Sequence, residues 1–119
     1  MSARRDWRLL VEDIIEYATD LLEATAGMNY DDFLANRVVQ LAVSRCLEVM
    51  GEAARHVPLE VQARCPEVEW RLMNDMRNVL IHAYTTIDTK IMWNVVTHDV
   101  PRTRERLQQL LEDERSSGA

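Results

Sequence analysis

The residue types best suited to chemistry are concentrated in one stretch of the chain, from Trp70 to Tyr84. Within it, four residues separate Arg77 from His82, and one residue separates His82 from Tyr84. Histidine, with an ordinary pKa of about 6.5, can accept or donate a proton near neutral pH. Arginine is always charged, and its planar fork fits the oxygens of a phosphate. This combination favours proton transfer beside a phosphate group.

The spacing predicts one helix that holds these groups on a polar face. With successive side chains about 100° apart, Asn78 and His82 lie one turn apart, and Arg77 lines up with Tyr84. A histidine on an apolar face is usually a core residue, but His82 lies on the polar side. The opposite, apolar face of the helix does not include His82 and consists of Leu72, Met73, Met76, Val79, Leu80 and Ala83.

Two large apolar residues, Trp70 and Ile81, interrupt the polar face of this helix. Apolar groups in such a position usually mean that a second surface covers them. We therefore expect a second surface to cover Trp70 and Ile81.

Length and composition limit what surrounds the helix. A chain of 119 residues with 47% apolar and 29% charged residues is typical of one soluble domain, here 1–119. Only three glycines and three prolines interrupt a sequence rich in helix-forming residues. No apolar run approaches the roughly 20 residues of a membrane span, and the amino terminus lacks the apolar core of a signal peptide. We expect a cytoplasmic protein.

The remaining candidate ligands are isolated in sequence, so we predict no metal site and no cofactor. Cys46 and Cys65 have no neighbour at metal-ligand spacing and are expected to be buried or half-buried free thiols. His56 and His98 are expected to be exposed or to cap helices. The net charge of −6 argues against nucleic-acid binding through overall charge, although arginines concentrated in the middle of the chain leave room for a locally positive cleft.

The apolar spacing predicts an all-α, up-and-down bundle of four main helices plus short ones. The first helix should run from about Arg4 to Ala26 and end at Gly27, and the third is the Trp70 to Tyr84 helix. A second helix capped within Asn29 to Asp32 should run to about His56, burying Phe33, Val38, Leu41, Ala42, Leu47 or Val49, and Met50. Leu59 to Arg64 should form two turns. Asp88 should cap the last helix, which Pro101 either kinks or restarts behind an Asp99 cap.

These residues resemble the HEPN superfamily, and Arg-Asn-Val-Leu-Ile-His-Ala-Tyr, residues 77–84, is similar to its HepT-like branch. The resemblance extends from about Phe33 to Pro101. It includes Leu47 to Ala54, Pro66 to Trp70, and Ile87-Asp88 with Trp93, in the same order and at similar spacing. One departure is Asn36, where many members of the family carry an acidic residue.

The resemblance implies a metal-independent endoribonuclease toxin that acts as a homodimer, with Arg77 and His82 of both subunits at a shared cleft. It also makes Trp70 and Ile81 candidates for the dimer interface. Cleavage would require a base for the 2′-hydroxyl, an acid for the departing 5′-oxygen and a cation for the charge on phosphorus. We assign proton transfer to His82, transition-state stabilisation to Arg77 and orientation or phosphate binding to Asn78. The product would be a 2′,3′-cyclic phosphate or its opened form.

The same resemblance implies a partner, a minimal nucleotidyltransferase antitoxin that attaches AMP to Tyr84. The added anionic nucleotide would pair with Arg77 and block the path of RNA. Two other interpretations remain open at the level of sequence. One is a non-catalytic helical adaptor that binds a nucleotidyltransferase or presents a nucleotide to it. The other is a dimeric scaffold in which Arg77 pairs with an acid such as Glu52.

Overall fold

The structure, a computed structural model, describes residues 6–75 and 88–117, and every regular element in those two ranges is helical. This confirms the all-α prediction. The elements are α1 (Trp7–Ala24), α2 (Tyr30–Leu34), α3 (Arg37–Arg55), α4 (Leu59–Gln62), α5 (70–75, up to the last residue described), α6 (Thr89–Asn94) and α7 (Val100–Ser117), with a π-helical turn, Val95–Asp99, that joins the last two.

Local hydrogen bonds fix both ends of α1. The carboxylate of Asp6 accepts the backbone N–H of Arg8 at 3.0 Å, so the helix begins later than the predicted Arg4. The chain then turns over residues 25–28, where the N–H of Met28 donates to the carbonyl of Thr25 at 3.1 Å. Gly27 holds the third position of this turn with φ of 77°, a value that an L side chain rarely adopts. The predicted end of the helix at Gly27 is two residues late, because α1 ends at Ala24 and Thr25 is its C-cap.

The prediction of one continuous second helix is wrong, because the chain breaks at Ala35 and Asn36 into α2 and α3. The Asn36 side chain accepts the N–H of Val39 at 3.1 Å and so starts a new helix. The amide of Gln40 seals the break by donating to the carbonyls of Phe33 at 2.9 Å and Leu34 at 3.0 Å. An aspartate could cap the same N–H, so the departure at Asn36 preserves the function of the side chain.

The break also changes which residues face the core. Val38 is 75% exposed and Leu41 is 49% exposed, and Ala42 is exposed too, so these three predicted inward positions are wrong. Phe33, Leu47 and Met50 are buried as predicted. The error has a simple cause: the predicted stripe continued from Phe33 through a helix that the chain does not form. The buried face of α3 consists of Val43, Ser44, Leu47, Met50, Gly51, Ala53 and Ala54.

Helix α1 packs against both α3 and α7 and runs antiparallel to α7. Near the start of α1, the guanidinium of Arg64 lies 5.5 Å from the ring centroid of Trp7 and binds the carboxylate of Glu114 at 3.1 Å. Near its end, Arg104 donates to the hydroxyl of Thr19 at 3.5 Å. The apolar core between these helices includes the fully buried Val11, Ile14, Leu21, Phe33, Val43, Met50, Met92, Val96 and Leu107.

Of the two alternatives predicted for Pro101, the structure excludes the new helix capped by Asp99. Asp99 does not cap a new helix, since it lies inside the π turn, and helical structure continues from Thr89 to Ser117. The N–H of Val100 donates to the carbonyl of Val95, five residues earlier. Pro101 has no N–H and its ring crowds the carbonyl of the preceding turn. One extra residue in that turn relieves both conflicts.

Candidate functional site

The described start of α5 is anchored in the bundle by Trp70. Its indole N–H donates to the backbone carbonyl of Cys65 at 3.0 Å, and the ring packs against the buried core. Leu72 and Met73, one turn on, also pack against the core, which agrees with the predicted apolar arc. These contacts within one subunit account for part of the burial of Trp70. Its place in a dimer interface remains a prediction.

The contacts of α5 also set its direction. Just before it, Glu67 forms an ion pair with Arg106 of α7 at 3.2 Å. Further along, Leu72 and Met73 face the π turn, which precedes α7 in the chain. Helix α5 is therefore antiparallel to α7, and it covers the groove between α3 and α7.

A small cavity of about 20 Å³ lies beneath α5, large enough for about one water molecule. Its floor is apolar, and three polar side chains reach its wall: Glu69, Asp99 and Thr103. Among residues 6–75 and 88–117, the cavity is also lined by Leu47, Met50, Leu72, Met73, Val95 and Val100. The π turn thus contributes directly to the support of α5.

The predicted reactive groups follow α5 in the chain and lie outside the described residues. These are Arg77, Asn78, Ile81, His82 and Tyr84. Their assigned roles, and the pairing of Arg77 with Glu52, remain predictions. Within the described chain, the carboxylate of Glu52 lies 3.2 Å from the Nε2 atom of His56.

The chain re-enters the described structure at Asp88, where α6 begins, and α6 contacts both α2 and α3. The carboxylate of Asp88 caps α6 by accepting the N–H groups of Lys90 and Ile91 at 3.1 Å each, as predicted. The hydroxyls of Tyr30 and Thr89 are 3.2 Å apart. These contacts hold the chain in place shortly after Tyr84, the last residue of the predicted motif.

Aromatic packing completes this anchor. The rings of Phe33 and Trp93 stack at a tilt, with 5.1 Å between their centroids. The hydroxyl of Ser44 lies 4.0 Å from the sulfur of Met92. Phe33 and Trp93 are both among the residues that carry the family resemblance, and the structure shows that they contact each other.

Four exposed apolar side chains lie on α2, α3 and α6, the elements that these contacts hold together, and sequence reasoning missed them. They are Leu34 (51% exposed), Val38 (75%), Leu41 (49%) and Ile91 (52%). We call this set the apolar patch. The signal that could have revealed it is Asn36, since a cap at that position separates Val38 and Leu41 from the inward stripe of Phe33. Such a concentration of exposed apolar residues is typical of a protein interface.

The cysteines and the two described histidines behave as predicted. Cys65 is buried and Cys46 half-buried, both are free, and burial raises the pKa of each thiol. His56 caps the end of α3, and His98 is exposed. Within residues 6–75 and 88–117, no three His, Cys, Asp or Glu side chains cluster closely enough to hold a metal ion. None of the helices in these ranges is long and apolar enough to cross a membrane.

Comparison with known proteins shows the family of this chain. Residues 14–110 match the ribonuclease HepT-like family. The chain is 36% identical over 106 residues to "Putative RNase MJ1380" of Methanocaldococcus jannaschii, covering 89% of this chain and 97% of the relative. It is also 36% identical over 107 residues to "Probable ribonuclease HepT" of Thermococcus cleftensis, covering 90% and 97% of the two chains. No solved structure matches significantly. The chain belongs to the ribonuclease HepT-like family, whose enzymes are hydrolases acting on RNA.

Proposed function

We propose that this chain is a metal-independent endoribonuclease toxin of the cytoplasm, with a composite active site formed across a homodimer. The observation that carries the proposal is the Arg77, His82 and Tyr84 motif in a chain of the ribonuclease HepT-like family. Support comes from the described structure, in which α5 leads into the motif from a well-anchored start at Trp70.

The chemistry follows from the residue types. One His82 takes the proton of the ribose 2′-hydroxyl, and the oxygen attacks the adjacent phosphorus. The His82 of the second subunit gives a proton to the departing 5′-oxygen. Arg77 stabilises the negative charge on the phosphorane-like transition state, and Asn78 orients His82 or binds a phosphate oxygen. The products are a 2′,3′-cyclic phosphate and a free 5′-hydroxyl.

A second subunit is required because one chain supplies only one motif histidine. The apolar patch supports a second copy of this chain as the covering surface, since Leu34, Val38, Leu41 and Ile91 are exposed in a single subunit. The patch lies on α2, α3 and α6, beside the point where the chain returns from the motif residues at Asp88. Trp70 and Ile81 are the further interface residues of the proposal.

Regulation of the proposed toxin acts through Tyr84. A minimal nucleotidyltransferase antitoxin transfers AMP from a nucleotide to the phenol oxygen, releasing pyrophosphate. The attached phosphate then pairs with Arg77 and excludes RNA. Mass spectrometry of protein coexpressed with the nucleotidyltransferase tests this step. An adenylyl mass on the Tyr84 peptide is expected, and an unmodified peptide with inhibition intact would contradict it.

Cleavage is tested with purified His82→Ala and Arg77→Ala proteins on single-stranded RNA. Loss of a general acid and base should lower the rate by at least about a hundredfold. His56→Ala is the matched control, because His56 is exposed at the end of α3 and should leave the rate unchanged. Equal rates for His82→Ala and the parent would refute the assignment. Absence of both cleavage and growth arrest with the parent chain would favour the adaptor interpretation.

A further inference from the structure

One face of the helix formed by α6, the π turn and α7 carries a row of exposed polar side chains. They are Lys90, Asn94, His98 and Arg102, each four residues after the previous one. We call this row the polar stripe. No residue of the stripe figures in the proposed chemistry of His82.

The π turn is what keeps the stripe straight. In a regular α-helix each step of four residues advances by about 40°, so three steps would spread the row over about 120°. The turn at Val95–Asp99 accommodates one extra residue, which sets the rotation back by about 100°. The four side chains therefore point in nearly the same direction, along about 18 Å of helix.

The stripe lies next to the edge of the helix that supports α5. Asp99 and Thr103 line the cavity beneath α5, and His98 and Arg102 each precede one of them by one residue. They are therefore rotated from that edge by about 100°. The opposite side of α7 faces α1, where Arg104 reaches Thr19. A strand lying along the stripe would thus run beside α5, which leads into the motif residues.

The two cations of the stripe, Lys90 and Arg102, have no acid partner in the described parts of the chain. Within residues 6–75 and 88–117, neither Lys90 nor Arg102 forms an ion pair, whereas Arg106 on the same helix pairs with Glu67. The nearest acid to Lys90 in sequence, Asp88, uses its carboxylate to cap α6. Two free cations on one face of a chain with a net charge of −6 favour an anionic ligand at this place.

His98 adds a group suited to a hydroxyl. Its Nδ1 atom lies 3.2 Å from the carbonyl oxygen of Asn94, which can only accept, so in the neutral ring Nδ1 carries the proton. Nδ1 is also 3.0 Å from the Thr97 hydroxyl, whose own proton is donated to the carbonyl of Trp93 at 2.9 Å. The Nε2 atom is then an acceptor, and a ribose 2′-hydroxyl is a donor that DNA lacks.

We propose that the polar stripe binds the sugar–phosphate backbone of single-stranded RNA and guides the strand to the active site. Lys90 and Arg102 bind phosphates, Asn94 donates its amide to the backbone, and Nε2 of His98 accepts a 2′-hydroxyl. Successive stripe residues are about 6 Å apart along the helix, a step comparable to that between phosphates of an extended strand. The proposal rests on the proposed function in taking RNA as the substrate.

The test measures binding of fluorescent single-stranded RNA, and of DNA of the same sequence, by anisotropy over a range of salt concentrations. All proteins carry His82→Ala to prevent cleavage. The double variant Lys90→Gln with Arg102→Gln removes the two cations, and His98→Ala removes the 2′-hydroxyl acceptor. The matched control is Arg115→Gln, which removes an exposed cation from the same helix beside the acidic Glu12 and Glu112.

Loss of two phosphate contacts should lower the magnitude of the slope of log K against log salt by about 1.4, because each contact on a single strand contributes about 0.7. Affinity for both strands should fall about 25-fold at 0.1 M salt. His98→Ala should weaken RNA binding about two- to tenfold and leave DNA binding unchanged. Arg115→Gln should change neither affinity nor slope by a comparable amount.

An unchanged slope in the double variant, or an equal change in Arg115→Gln, would overturn the proposal. Equal effects of His98→Ala on RNA and DNA would overturn the role given to His98. Thermal unfolding of each variant verifies that the fold is intact. DNA has no 2′-hydroxyl and binding requires no cleavage, so the DNA measurements stand even if His82 proves not to transfer protons.

Discussion

Replacing Phe33 with alanine should destabilise the fold more than any exposed substitution of similar size. Phe33 is fully buried, and its ring is the contact that ties the short helix α2 to Trp93 of α6, at 5.1 Å between centroids. Phenylalanine-to-alanine substitutions in a core cost about 3–5 kcal/mol, the sum of lost burial and the cavity left behind. Of this, the aromatic pair itself contributes about 0.5–1.5 kcal/mol.

The expected change in melting temperature follows from the chain length. An unfolding entropy of about 2.1 cal/mol/K per residue, over 119 residues, gives about 0.25 kcal/mol/K for the whole chain. A loss of about 3–5 kcal/mol then lowers the melting temperature by about 12–20 °C. Urea unfolding followed by far-UV circular dichroism gives the free energy directly.

Leu59→Ala is the matched control for Phe33→Ala. Leu59 begins α4, is 80% exposed and lies outside the apolar patch, so its truncation should change stability by less than about 0.5 kcal/mol. Both variants should be unfolded at two protein concentrations, since association of subunits contributes to apparent stability. If Phe33→Ala lost less than about 1 kcal/mol, or no more than Leu59→Ala, the anchoring of α2 by this ring would be refuted.

Three further predictions concern the cap, the patch and the thiols. Asn36→Ala should cost about 1 kcal/mol in urea unfolding, whereas Asn36→Asp should keep the cap and most of the stability; equal losses would contradict the capping role. Leu41→Arg should shift sedimentation from dimer to monomer while Leu59→Arg does not, and dimers in both variants would exclude the patch as the interface. Because burial raises their pKa values, the thiols of Cys46 and Cys65 should carry less thiolate than free cysteine at pH 8 and react more slowly with a disulfide reagent, with the rate rising at higher pH. Reaction of the folded protein as fast as a free thiol would refute this.

The sequence predicts the all-α class and most helix ends because those features depend on local signals. Asp88 caps α6 as predicted, by accepting the N–H of Lys90, and Gly27 adopts a positive φ in the turn that follows α1. Phe33, Leu47 and Met50 are buried as their spacing indicates. In each case, the feature depends on residues that lie only a few positions apart in the sequence.

The errors occurred where the outcome depends on competition between two local structures. Asn36 can lie within a helix or cap the next one. Here it caps α3, and the side-chain amide of Gln40 stabilises the break by donating to the carbonyl of Phe33 at the end of α2. At Pro101 the sequence left two alternatives, and the π turn at Val95–Asp99, which the sequence did not predict, lets the helix continue. The apolar patch was missed for the same reason, since periodicity does not show where one helix becomes two.

One part of the candidate site, the motif, could be predicted from the sequence, and the other part, the polar stripe, could not. The motif residues are evident from type and spacing, and the roles that the family resemblance implies for Arg77, His82 and Tyr84 remain predictions. The polar stripe could not be predicted from the sequence. Lys90 and Arg102 point in the same direction only because the π turn between them holds one residue more than a turn of α-helix. A helical wheel drawn from the sequence places them about 120° apart.

The antiparallel packing of α1 and α7 brings the two ends of the described chain to one pole of the molecule. Trp7 and Glu114 share a single neighbour, Arg64, while the links between Tyr30 and Thr89 lie at the other end of α1. A short peptide could therefore join the termini, and new ends could be opened in the turn at Gly27, giving a circular permutant with the same core. Fusion partners or purification tags added beside these two ends should lie away from Tyr30, Thr89 and the apolar patch, at the opposite end of α1.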